Sequence, residues 1–182
     1  MTFLIAVHFA VACFAPLLVR VLRARAFFVL AAVPAVAFGW LVAQAPIIVP
    51  GGALIQRTPW IPPLDVDLAY RIGTLQWVLG LLVTGVGALV LFYCRWYFSG
   101  SDVPARTGGL LVAFAGAMLG LVTADDLILL YVFWELTTVF SYLLVGHNPT
   151  RGANRRAALT ALMVTTFGGL AMLVGIIMIG VT

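Results

Sequence analysis

Long apolar stretches alternate with short polar connections along this chain. Six of the stretches approach or exceed the roughly 20 residues with which a helix crosses the hydrocarbon core of a bilayer. They predict membrane-spanning helices over residues 2–19, 26–44, 75–98, 108–124, 127–146 and 157–181. Because almost the whole chain lies in these stretches, we expect residues 1–182 to form one all-α helical bundle in the membrane.

Residues 45–74, between the second and third predicted helices, form the one long connection. Five prolines and Gly51-Gly52 exclude a helix across most of it. Leu64 to Arg71 alternates apolar and polar side chains, as a half-exposed strand does. We expect a small external β-hairpin here, although the same residues also suit an irregular ordered loop.

Composition supports the membrane assignment, and charge orients the chain. It is 64% hydrophobic and 9% charged, whereas a soluble domain is roughly 25% charged. All ten basic residues are arginines. They are spread over the ends of apolar runs, which indicates membrane topology and argues against a nucleic-acid partner. Arginines follow the first, third and fifth helices, so these connections are predicted to be cytoplasmic and the N-terminus to lie outside.

Few other residues suggest chemistry. Cys13 and Cys94 do not form a C-x-x-C motif, and no histidines or carboxylates stand at metal-ligand spacing. We therefore expect no metal and no cofactor. Asp125-Asp126 directly precedes an apolar helix, which is typical of an N-cap. No pair of nucleophile and base is evident, which argues against an enzyme.

A glutamate in the fifth predicted helix is the strongest functional candidate. Glu135 lies near the middle of the apolar run Leu127 to Gly146, where a charged residue costs on the order of 3 kcal/mol. Helical spacing places other polar residues on or near its face, namely Tyr131, Thr138, Ser141 and Tyr142. This polar stripe must face protein, water or a cation.

Two roles for Glu135 follow from this position. As a relay, its carboxyl group would take up and release a proton when a cationic partner moves, because burial favours the neutral form and a nearby cation favours the ionised form. As packing glue, it would only hydrogen-bond a neighbouring helix. We favour the relay, and His147 at the end of the same helix is a second candidate relay.

Glycines at short spacing predict close helix contacts. Gly116 and Gly120 form a small-xxx-small pair, and Gly80, Gly85 and Gly87 thin one side of the third predicted helix.

The segment "LVTADDLILLYVFWELTTVFSYLLVGH" with the residues after it resembles a known family. It looks like the fifth and sixth helices of the large antiporter-like subunits shared by respiratory complex I and Mrp-type multisubunit cation/proton antiporters, and "GVGALVLFYCRWYF" is similar to the same family. Leu136-Thr137-Thr138 after the "WE" pair, and the uncharged run from Thr165 to Gly169, resemble the Mrp A subunit. Respiratory homologues tend to carry a glycine and a charged pattern there.

The resemblance implies that Glu135 matches a helix 5 glutamate implicated in ion transfer, which in the family pairs with a lysine on helix 7. This chain contains no lysine and stops after its sixth predicted helix. We therefore expect the N-terminal portion of a split or truncated Mrp A subunit. Other subunits of a multisubunit antiporter would complete it, in the lipid of a prokaryotic plasma membrane, with Na⁺ and H⁺ as the ions.

Two further interpretations remain open at this point. One is a proton-pumping membrane subunit of a complex I-like quinone oxidoreductase. The other is a structural subunit that scaffolds assembly, with Glu135 as packing glue.

Overall fold

The computed structural model describes residues 1–61, 66–98, 105–146 and 152–181. The described chain is mostly helical and carries one two-stranded sheet, as predicted. The long helices are α1 (Thr2–Leu22), α2 (Ala26–Ala43), α4 (Thr74–Tyr97), α5 (Ala105–Thr123), α6 (Leu127–Val145) and α7 (Gly152–Val181). Between α2 and α4 lie a four-residue helix and two strands, α3 (Ala45–Ile48), β1 (Leu54–Ile61) and β2 (Val66–Ile72).

Three helices run further than predicted at their arginine-bearing ends, and one of them, α5, begins at Ala105, ahead of Arg106. α1 continues to Leu22 through Arg20, and α7 begins at Gly152, ahead of Arg155 and Arg156. Arginine has a high helix propensity, so the helical hydrogen bonding continues beyond the apolar run. The predicted boundaries followed the apolar run and were therefore too short at these ends.

Five apolar helical segments of the described chain are long enough to cross a membrane, namely Thr2–Ala43, Thr74–Tyr97, Arg106–Thr123, Leu127–Val145 and Asn154–Gly180. The first, of 42 residues, contains both α1 and α2. A 3₁₀ turn at Arg23–Arg25 divides it, with Arg23 at a φ of 51°. Because α1 and α2 also contact each other, the chain reverses at this turn. The first two predicted helices therefore share one apolar segment.

The predicted β-hairpin is confirmed. β1 and β2 pair antiparallel from Leu54 opposite Ile72 to Ile61 opposite Val66, with a register irregularity between Pro59 and Ile61. Proline has no amide hydrogen to give to a ladder, so it is tolerated at such an edge. Leu64 and Asp65 lie outside the described residues.

The hairpin joins the N-terminus to the turn between α5 and α6. The Met1 ammonium group donates a hydrogen bond to the Gln56 side chain in β1. The Asp125 amide donates to the Ala69 carbonyl of β2, at 2.9 Å. Hence the starts of α1 and α6 lie at the same end of the bundle, which we call the hairpin end.

The opposite end carries arginines, and we call it the arginine end. α4 runs from beside β2 to Tyr97, and near this far end the guanidinium carbon of Arg95 lies 6.0 Å from the Phe28 ring centroid. The turn Arg23–Arg25 also contacts α4. The ends of the bundle therefore differ in charge, as the sequence predicts. That the arginine end faces the cytoplasm remains a prediction.

Helix α5 lies between other helices, contacting α1, α2, α4 and α6. Two of its glycines allow the approach. A Cβ atom at Gly116 would lie 2.6 Å from the His8 Cβ atom of α1, and one at Gly120 would overlap the Phe133 ring of α6. In α4, Gly80 faces Leu41 and Gly87 faces Ala115. The predicted close contacts at these glycines are thus present.

Candidate functional site

Glu135 lies about 12 Å along α6 from its first residue, at 1.5 Å per residue. The side chain is half-buried, and its Oε1 atom is fully buried. Within the described part of the chain, this oxygen has no hydrogen-bond partner. A buried carboxylate oxygen without a donor is unfavourable unless a proton or a cation reaches it.

The carboxylate packs against Gly169 of α7. A Cβ atom at position 169 would overlap Glu135 Oε1 and would lie 3.5 Å from Cδ1 of Trp134. Gly169 is buried, whereas the neighbouring Gly168 is exposed and a Cβ atom there would meet nothing within 4 Å. The missing side chain at position 169 therefore makes room for the carboxylate. Sequence reasoning did not assign Gly169 to the site, although a glycine pair inside an apolar helix was visible.

The opposite side of α6 determines the direction of Glu135. Phe133 is 5% exposed, packs on Gly120 of α5, and has its ring centroid 6.4 Å from that of Tyr70 in β2. Two residues along an α-helix correspond to a rotation of about 200°. Phe133 therefore faces α5 and the hairpin while Glu135 faces α7. Burial raises the pKa of the Tyr70 hydroxyl, so Tyr70 stays neutral.

The predicted polar stripe lies in one unbroken helix, so its helical spacing from Glu135 is kept. Thr138 is buried, and the other three described members, Tyr131, Ser141 and Tyr142, are half-buried. Thr137, which the predicted stripe does not include, is also buried and donates to the Trp134 carbonyl at 2.7 Å. His147 lies outside the described residues.

The two aspartates before α6 have different partners. Asp126 caps the helix, because its carboxylate accepts hydrogen bonds from the Ile128 and Leu129 amides, both at 2.9 Å. Asp125 instead forms an ion pair with Arg57 of β1 at 3.6 Å. The N-cap prediction is confirmed for Asp126, whereas Asp125 attaches the start of α6 to the hairpin.

A second buried polar side chain lies between α1 and α5. His8 is 1% exposed, and its Nδ1 atom lies 2.8 Å from the Leu4 carbonyl oxygen. A carbonyl only accepts, so Nδ1 is the donor, and in the neutral imidazole Nε2 then carries the lone pair. Nε2 is buried and has no hydrogen-bond partner among the described residues. In the sequence, His8 is an isolated histidine within an apolar run.

Comparison with known families places this site in a segment that other membrane proteins share. A family profile described as "NADH:quinone oxidoreductase/Mrp antiporter, TM" matches residues 124–181, which contain Glu135 and Gly169. A protein of Rhizobium meliloti (strain 1021), named as a probable A/B component of a K(+)/H(+) antiporter, is 42% identical over 135 residues, which cover 74% of this chain and 14% of that protein. A putative antiporter subunit mnhA2 of Staphylococcus haemolyticus (strain JCSC1435) is 35% identical over 164 residues, 90% of this chain and 20% of that protein.

Solved structures share the fold. A chain in the structure of the Mrp complex from Dietzia sp. DQ12-45-1b matches 95% of this chain with a TM-score of 0.80 and 34% identity. A chain of the membrane-bound sulfane sulfur reductase, an archaeal respiratory membrane complex, matches 96% of this chain over 35% of its own length, with a TM-score of 0.68 and 20% identity. The second likeness concerns the fold alone.

This chain spans only a small part of the antiporter proteins, 14% and 20% of the two sequence relatives and 18% of the Mrp complex chain. The resemblance is nevertheless continuous over most of its own length and includes α6 and α7. The chain is a multi-pass membrane protein, and it belongs to the family of Mrp-type antiporter subunits that is related to the membrane subunits of NADH:quinone oxidoreductase.

Proposed function

We propose that this chain is the N-terminal portion of an A-type subunit in a multisubunit monovalent cation/proton antiporter, and that Glu135 transfers protons or cations within it. One observation carries the role of Glu135. Its Oε1 atom is buried against Gly169 and lacks a hydrogen-bond donor within the described residues. A carboxylate whose function was to hold helices together would use that oxygen in a hydrogen bond across the interface.

The geometry suits reversible ion binding. α6 is fixed on one side by Phe133 against α5, and at its start by the Asp126 cap. Glu135 therefore points at α7 from a firmly held helix. A proton or monovalent cation that reaches Oε1 would supply the missing interaction, and its departure would leave an unfavourable buried oxygen. Such a site exchanges its ion readily when the surroundings change. Thr138, Tyr131, Ser141 and Tyr142 would provide polar neighbours along the same face of α6.

The relatives support an antiporter. One is named as a probable K(+)/H(+) antiporter component, the other as a putative antiporter component, and the structural match comes from an Mrp complex. We therefore propose other antiporter subunits as partners, a prokaryotic plasma membrane as the location, and Na⁺ or another monovalent cation with H⁺ as the ions. The family description also includes NADH:quinone oxidoreductases. A proton-pumping subunit of such an enzyme is the second candidate, and independence of the activity from monovalent cations would favour it.

Substitution of Glu135 tests the proposal. Glu135→Gln keeps the size and most hydrogen-bonding capacity of the side chain but removes the negative charge and the titratable proton. Each variant is expressed with its complete complex, assembly is checked on a native gel, and cation-driven proton movement is measured in everted vesicles. We expect the Gln variant to assemble and to lose exchange, and Glu135→Asp, which keeps the acid, to retain part of it.

The packing role predicts the opposite ranking. Glutamine can still donate and accept across the helix interface, whereas the shorter aspartate reaches it poorly. An assembled Glu135→Gln complex with undiminished exchange would therefore refute the relay and favour the scaffold. Gly168→Ala, next to the site but in open space, is the control for general effects of substitution.

A further inference from the structure

The charges at the arginine end of the bundle are not neutralised by the described residues. Four arginines lie on α1, α4 and the turn between α1 and α2, namely Arg20, Arg23, Arg25 and Arg95, and the starts of α5 and α7 add Arg106, Arg155 and Arg156. The single ion pair found in the described ranges, Arg57 with Asp125, belongs to the hairpin end. This positive end therefore attracts an anion.

Arg95 is the most constrained of these arginines. Its side chain is half-buried, and its Nε atom is fully buried without a hydrogen-bond partner in the described part of the chain. The guanidinium carbon lies 6.0 Å from the Phe28 ring centroid, at the limit of a cation–π contact. The ring accepts none of the five N–H donors of the guanidinium in a conventional hydrogen bond. The group is positioned for an acceptor with several oxygens.

An apolar aromatic surface adjoins this guanidinium. Phe28 of α2 lies with its ring centroid 5.5 Å from that of Phe92 and 5.8 Å from that of Trp96, and the last two are 4.9 Å apart. We call Phe28, Phe92 and Trp96 the aromatic patch. Its members are 42%, 49% and 53% exposed. Tryptophan beside a basic residue at the end of a membrane helix is typical of the headgroup level of a bilayer.

We propose that Arg95 and the aromatic patch bind an anionic phospholipid, with the phosphate on the guanidinium and the glycerol and upper acyl chain on the rings. The ligand chemistry is a phosphate oxyanion, which guanidinium recognises through two parallel N–H donors. The apolar rings directly beside the cation favour a lipid phosphate over a free one, because inorganic phosphate has nothing to place on them. The exposed Arg23 and Arg25 lie in the turn that contacts α4, and they add attraction for a negative headgroup.

Photolabelling tests this site in the assembled complex that contains the chain. The complex is reconstituted with phosphatidylglycerol that carries a photoactivatable acyl chain, or with phosphatidylcholine carrying the same chain, and labelled peptides are mapped by mass spectrometry. We expect phosphatidylglycerol to label the peptides of the aromatic patch more strongly than phosphatidylcholine. Arg95→Gln should lower this labelling about fivefold, the factor for one arginine at an anionic surface, and Arg95→Lys should lower it less.

Matched controls keep the result specific. Arg57→Gln removes an arginine at the hairpin end and should leave labelling of the patch unchanged. If Arg95→Gln fails to assemble, Trp96→Leu replaces it, since this exposed ring can be removed without touching the charge, and reduced labelling is again expected. Equal labelling by the two lipids, or labelling insensitive to Arg95→Gln or to its replacement, would overturn the proposal. Displacement of the lipid probe by excess inorganic phosphate would overturn the lipid as the ligand and assign the site to free phosphate.

Discussion

His8 and Glu135 occupy similar positions in two different interfaces of the bundle. Each lies within a membrane helix, has one buried atom without a partner among the described residues, and faces a glycine on the next helix, Gly116 or Gly169. They differ in enclosure. His8 is 1% exposed between α1 and α5, whereas Glu135 is half-buried against α7, most of whose surface is exposed. The described residues close the first site and leave the second partly open.

The two unsatisfied atoms also differ in cost. A neutral imidazole with one ring nitrogen bonded to the Leu4 carbonyl leaves a single acceptor unmet, at about 1–3 kcal/mol. The packing of a helix interface can offset a cost of this size. An ionised carboxylate in the same surroundings costs more and demands a proton or a cation. The histidine therefore suits a structural role and the glutamate a transfer role, although both are buried titratable groups.

Among the changes that leave both His8 and Glu135 in place, the largest effect should follow from Gly169→Ala. The new Cβ atom would overlap Oε1, the far end of a flexible side chain, so the carboxylate can swing away at little cost in stability. Displacement of a transfer group by about 1 Å reduces rates by on the order of 10²-fold. We expect the complex to assemble and its exchange rate, measured in everted vesicles, to fall by about tenfold or more. Gly168→Ala, in open space one residue away, is the control.

Retention of full exchange by Gly169→Ala would mean that the position of the carboxylate against α7 does not matter. That result would count against Glu135 as the transfer group in this geometry. It would also weaken the distinction between a structural role for His8 and a transfer role for Glu135.

The next largest effect is expected on stability, from Gly116→Ala. Here the new Cβ atom would lie 2.6 Å from the His8 Cβ atom, which is fixed to the backbone, so α1 and α5 must separate. Overpacking of this kind costs about 1–3 kcal/mol. The midpoint of thermal unfolding of the detergent-solubilised complex should fall, and Gly39→Ala, with nothing within 4 Å of its Cβ position, should not lower it. An unchanged midpoint for Gly116→Ala would show that α1 and α5 can accommodate the extra methyl group, and that His8 is therefore packed less tightly than the structure indicates.

The sequence predicted more of the architecture than of the two sites. Apolar runs determine where helices lie, and prolines with strand alternation marked the hairpin, because these are local properties. Glu135 was visible since a carboxylate in an apolar run is costly wherever the helix packs. Gly169 and the enclosure of His8 were missed, because each depends on which helix packs against which. Phe133 against Gly120 determines that Glu135 faces α7, and no local pattern revealed that pairing.

Smaller losses of stability are expected from substitutions at the hairpin end, where α1 and α6 begin. Asp126→Ala removes a cap that accepts from two amides, and should lower the free energy of unfolding by about 1 kcal/mol. Arg57→Gln removes an ion pair whose side chains are 65% and 24% exposed, worth about 0.2–1 kcal/mol. Chemical unfolding of the two variants compares them directly. A larger loss of unfolding free energy for Arg57→Gln than for Asp126→Ala would show that contact with the hairpin stabilises the start of α6 more than the cap does.

The smallest effect on exchange is expected from His8→Leu, and it tests the comparison most directly. Leucine fills a similar volume, removes the unmet Nε2 acceptor and gives up only the bond from Nδ1 to the Leu4 carbonyl. Replacement of an unsatisfied buried polar group by an apolar one of similar shape is nearly neutral for stability. Exchange and its dependence on pH should therefore match wild type in everted vesicles. If His8→Leu assembles but loses exchange as Glu135→Gln does, or shifts the pH profile, His8 takes part in proton transfer and the division between the two sites is wrong.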